Sequence, residues 1–174
     1  MSDRLDPTIL AQLIECENID GLSLDQIAEL VRGEEGLSRF IPDGVCRMDP
    51  RNGDRILYNS ARARRPHDNQ APKQGPISKT DDHCVICRGN TTGVLDVAQL
   101  SEGFTFINKN LYPILFPQNL TGGPSPGTKQ RRAEGGTATG VHLLQWTSSV
   151  HDRDWHNLPQ GDRLVVMQRL AILE

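Results

Sequence analysis

Two cysteines three positions apart, Cys84 and Cys87, constrain this chain more than any other feature. A Cys-x-x-Cys pair makes a tight turn on which two thiolates converge. Zinc takes four nitrogen or sulfur ligands in a tetrahedron, so a metal held there would pin distant segments to one point. Arg88, Gly89 and Asn90 follow, which suits a knuckle better than the strand-to-helix junction of a redox pair. By spacing alone, three readings stand: a metal site, a redox couple, or two unliganded thiols in the interior. Cys16 and Cys46 are scattered, and in a reducing compartment the whole pattern favours metal over disulfide.

The knuckle offers two ligands, so the others come from elsewhere. The histidines are His67, His83, His142, His151 and His156. His151 is the best placed, just after a strand predicted over 141–146. His83 adjoins Cys84 and would struggle to reach the same metal. His156, five residues after His151, does not share a helical face with it.

Net charge is −3 and the pI about 5.9, so a strongly basic face is not indicated and nucleic acid is not the expected partner. Hydrophobic residues make up 36% of the 174 residues, and 16 Gly with 11 Pro call for extensive loops. No apolar run approaches the roughly 18 residues of a membrane span. The N-terminus lacks the basic flank and apolar core of a signal peptide, so the expected location is cytoplasmic, with no membrane partner.

Along the chain, apolar spacing predicts a helix over 7–16 behind Pro7. A second helix is capped by Ser23 and ended by Gly33, with Leu24, Ile27, Leu30 and Val31 as its buried stripe. The two form an expected helical hairpin, residues 1–38, ahead of a domain over 39–174. Asn52-Gly53-Asp54 marks a β-hairpin turn. Residues 103–108 and 141–146 read as strands, and 118–140, rich in Gly, Pro, Thr and Ser, as a long loop. The last helix carries Leu164, Val165, Met167, Leu170 and Ile172, and ends without a cap signal, which predicts that the chain is part of a longer protein. The expected class is α+β: an antiparallel sheet with flanking helices, whose open edge invites association.

Four segments together resemble the galactose-1-phosphate uridylyltransferase family, a branch of the histidine triad superfamily. They are Arg62-Ala63-Arg64-Arg65-Pro66; Cys84 to Asn90, matching Cys-x-x-Cys-x-Gly-Asn; Asn110-Leu111-Tyr112-Pro113-Ile114-Leu115; and Val141 to Leu158 with His151. They occur in the family's order and span roughly residues 55–174. The resemblance implies a partial histidine-triad-like fold and a structural Zn2+ held by Cys84, Cys87 and His151, with a fourth histidine beyond Glu174. It also implies phosphate contacts from Arg62 and Arg65, which in this family can act across a homodimer. Asn110 would contact the nucleotide, with Leu111 beside it and Gly93 at a further nucleotide position.

The implied reaction is uridylyl or adenylyl transfer between a nucleoside-diphosphate sugar and a sugar phosphate, through a nucleotidyl-histidine. The nucleophile belongs to a His-x-His-x-Gln motif, and these 174 residues contain no His-x-His pair. The resemblance therefore places the nucleophile beyond Glu174 and leaves the chain alone inactive. The alternative is a zinc-stabilised binding module without catalytic activity.

Overall fold

The computed structural model describes residues 5–16, 18–60, 84, 86–118 and 136–173. The architecture is α+β, with two small antiparallel sheets. Compact packing divides the chain into two units, each assembled from separate stretches. The first takes 1–21, 70–109 and 143–174, and the second 22–69 and 110–142.

In the first unit the strands Val94–Gln99 (β3), Phe104–Lys109 (β4) and Leu143–Trp146 (β6) pair in the order β3-β4-β6. All six residues of the central strand β4 are buried, because both of its faces are covered. The helix Pro7–Leu13 (α1) covers one face. Its N-cap Asp6 accepts from the Thr8 amide, and Pro7 opens the helix where no amide donor is needed. Leu5 and Leu10 bury against Val94, Phe104 and Phe106, with Ile9, Leu13, Ile14 and Trp146 packed around them. Phe106 stacks on Trp146 at 6.1 Å between ring centroids. Each large side chain fully buried here contributes about 1.5–3 kcal/mol.

The helix Gln160–Ala171 (α3) covers the opposite face. A bulge between Val94 and Asp96 makes this possible. Residues two apart in a regular strand share a face, but the extra residue turns Val94 toward α1 and Asp96 toward α3. Asp96, fully buried, pairs with Arg169 of α3, whose Nε lies 2.8 Å from Asp96 Oδ2. Arg169 also reaches Asp20 at 2.9 Å, and the Ile19 amide donates to Asp96 Oδ1 at 3.2 Å. The hydrogen bond to Asp96 raises the guanidinium pKa further above its ordinary value, against the cost of burial, and Asp20 adds to it.

That pairing corrects one expectation for α3. Its inward residues are Asp162 and Val166, with Arg169 largely covered, while Leu164, Met167 and Leu170 are exposed at 59%, 49% and 42%. Asp162 turns inward because it caps Ser101, accepting from the Ser101 amide and hydroxyl at 2.9 and 2.6 Å. Polar groups with partners on β3 and on the turn after it thus took the inward face in place of the leucines.

In the second unit, the helix Leu24–Arg32 (α2) begins with a reciprocal capping box between Ser23 and Gln26. Ile27, Ala28 and Val31 are its buried residues, whereas Leu24, expected in that stripe, is 61% exposed at the helix's first position. The strands Val45–Met48 (β1) and Arg55–Tyr58 (β2) form the expected hairpin around Asn52-Gly53, with Gly53 at φ 80°. Gly136–Thr137 (β5) adds to β1, giving the order β2-β1-β5, so a short strand forms inside the stretch read as loop. α1 thus belongs to the first unit and α2 to the second. No helix among the described residues is long and apolar enough to cross a membrane.

Candidate metal centre

Local hydrogen bonds build the knuckle. The Arg88 amide donates to the Cys84 carbonyl at 3.2 Å and the Gly89 amide to the Ile86 carbonyl at 2.8 Å, which closes the turn. Gly89 sits at φ 73°, a conformation that a side chain strongly disfavours. A Cβ there would also lie 2.2 Å from Ile9 Cγ2, so the turn rests directly on α1. Ile86, partly buried, joins the same apolar cluster.

His151 is delivered by the segment that leaves β6. After β6 the chain is clamped at Ser149, which is buried. Its amide donates to the Phe104 carbonyl at 2.8 Å, its carbonyl accepts from the Leu5 amide at 3.0 Å, and its Oγ accepts from the Phe104 amide at 3.0 Å. Two residues later the His151 ring meets the knuckle.

The donor atoms of Cys84, Cys87 and His151 all lie within 4.8 Å of one another; the cysteines are half-buried and the histidine exposed. Cys87 Sγ is 3.5 Å from His151 Nδ1. A tetrahedral zinc with bonds of about 2.3 Å to sulfur and about 2.0 Å to nitrogen would hold two such atoms about 3.5 Å apart. Donor types and spacing therefore fit a zinc-like ion. The cluster borders a cavity of about 340 Å³ that Trp146, Ser148 and Arg153 also line.

The other candidate residues fall as follows. Gly93 belongs to the first unit, where a Cβ would meet Glu15 Oε1 at 1.9 Å and Lys109 Nζ at 2.9 Å. It leaves room for the 2.6 Å ion pair between Glu15 and the buried Lys109, a packing reason for glycine that needs no ligand. Asn110 and Leu111 belong to the second unit. Asn110 Oδ1 accepts from the Tyr112 amide at 2.9 Å, and its Nδ2 lies 3.3 and 3.2 Å from the two ring nitrogens of His142. Leu111 packs near Gly36. Arg62 and Arg65 lie outside the described residues, as do His67 and His83. His156 pairs with Asp154 in an exposed turn and is not one of the three clustered donor side chains. In the sequence His142 is one of five histidines, with nothing to set it apart. Its only signal, a polar residue just before a strand, is common.

Gly89→Ala tests the knuckle's backbone. A side chain at positive φ, driven into Ile9, is expected to lower unfolding free energy by at least about 2 kcal/mol and to weaken metal binding. Denaturant melts with and without zinc measure both, and an unchanged midpoint would show that the turn does not rest on α1 as described.

No protein-family model, curated protein or solved structure matches this chain.

Proposed function

We propose that the chain binds one zinc ion through Cys84, Cys87 and His151, and that the zinc-stapled unit belongs to a nucleotidyltransferase of the galactose-1-phosphate uridylyltransferase type. The convergence of the three donors carries this reading. Thiolate and imidazole donors suit zinc among divalent ions, and the knuckle and His151 stand 64 residues apart in sequence. The zinc would bind the knuckle to the segment leaving β6, beneath a cavity that no described residue fills.

The substrates of this reading are a nucleoside-diphosphate sugar and a sugar phosphate, the fold is the partial histidine-triad-like sheet, and the assembly is a homodimer. Asn110 and Leu111, with Arg62 and Arg65, are the nucleotide and phosphate contacts; a guanidinium fork matches phosphate oxygens. With no His-x-His pair in these residues, the chain binds a nucleotide sugar without transferring its nucleotidyl group. That absence also favours a second reading, a zinc-stabilised binding module with no nucleotide site. Calorimetric titration of the zinc-loaded protein with UDP-glucose and ADP-glucose separates the two. Saturable one-to-one binding of either is expected, with no sugar phosphate released. Absence of binding by both at millimolar concentration would leave the binding module.

A further inference from the structure

The imidazole of His142 is wedged inside the turn formed by residues 110–114. Its Nδ1 accepts a hydrogen bond from the Ile114 amide at 2.9 Å, which leaves the ring proton on Nε2. Its carbonyl accepts from the Asn110 amide at 3.2 Å. Asn59 closes the far side, its Nδ2 lying 3.4 Å from the carbonyls of both Pro113 and Ile114. The Asn110 amide is therefore held at both ends: Oδ1 by the Tyr112 amide, Nδ2 against the His142 ring.

Fixing Oδ1 as the acceptor decides which way the amide faces. The donor end, Nδ2, has two hydrogens. One points to Nδ1 at 3.3 Å and shares that lone pair with the Ile114 amide, because the protonated Nε2 cannot accept; the other has no protein acceptor among the described residues. Asn110 is half-buried. An oriented donor held this way suits a ligand rich in acceptors, such as a pyrimidine carbonyl or a phosphate oxygen.

We propose that His142 is a positioning residue, holding the Asn110 amide ready to donate to the nucleotide. This rests on the nucleotide-sugar reading above. The imidazole would not touch the ligand; it removes the rotamer freedom that Asn110 would otherwise lose on binding.

A double-mutant cycle on the zinc-loaded protein, read by titration with UDP-glucose and ADP-glucose, tests it. His142→Ala and Asn110→Ala are each expected to raise Kd about tenfold, and the double variant about tenfold as well, because the second loss removes nothing further. His142→Asn, whose side-chain oxygen reaches the place of Nδ1, is expected to recover much of the loss. The Ile114 amide and Asn110 side-chain resonances in 15N spectra should move in His142→Ala while the rest of the spectrum stays, which shows that the protein is folded. Losses that multiply to about a hundredfold, or native affinity in His142→Ala, would overturn the positioning role and leave the nucleotide reading intact. Failure of the native protein to bind either sugar nucleotide would sink the nucleotide reading, and this role with it.

Discussion

Cys87→Ser is expected to weaken zinc binding by more than about 100-fold. Loss of an outer-shell partner alone costs up to about that factor, and Cys87 would be a direct donor, its sulfur 3.5 Å from His151 Nδ1. A serine oxygen is a hard, neutral donor that does not replace a thiolate. Because the ion binds only the folded arrangement of knuckle and His151, affinity is also stability. Each 100-fold loss in Kd removes about 2.7 kcal/mol of stabilisation at saturating metal. His151→Ala should behave similarly, since it breaks the only described link between the ion and the segment after β6. Cys46→Ser is the control: Cys46 lies on β1 in the second unit, and its replacement should leave zinc affinity unchanged. Competition with a coloured chelator measures all three. Equal affinity in Cys87→Ser and the native protein would remove Cys87 from the site.

The second large effect is expected at Asp96. Its carboxylate is fully buried and serves Arg169 and the Ile19 amide together, so it fastens α3, the sheet and the segment after α1. Asp96→Ala leaves Arg169 facing the interior with Asp20 as its remaining carboxylate partner. Removing one partner of such a pair costs about 3–5 kcal/mol, which for a chain of this size corresponds to roughly 10 °C in Tm. Adding Arg169→Leu to that variant should recover part of the loss, because the stranded guanidinium leaves with it. Thermal melts of the three proteins decide the matter. A fall of less than about 1 kcal/mol for Asp96→Ala would mean that this network is solvated and does not hold α3.

The features legible in the sequence are those set by neighbours along the chain. Ser23 and Gln26 announce the start of α2, and Asn52-Gly53 announces the hairpin, because caps and turns are closed by residues two or three positions away. The three clustered side chains Cys84, Cys87 and His151 stand out for a related reason: Cys-x-x-Cys is local, and few histidines compete to stand beside it. What escapes the sequence depends on distant partners. α3 shows its leucines to solvent because Asp162 meets Ser101 and Arg169 meets Asp96, pairings across 61 and 73 residues. The bulge that turns Asp96 toward α3 has no marker in Val94-Leu95-Asp96. β5 arises from a Gly-rich stretch because β1 offers it an edge. The hold of His142 on Asn110 exists only once positions 32 residues apart meet.

The most direct test of the zinc assignment is X-ray absorption at the zinc edge on the native protein, loaded to one equivalent and freed of excess. The account predicts one retained zinc per chain, with two sulfurs at about 2.3 Å and at least one imidazole nitrogen at about 2.0 Å, the sulfur shell falling to one in Cys87→Ser. A zinc surrounded by nitrogen and oxygen alone, or none retained at all, would contradict it.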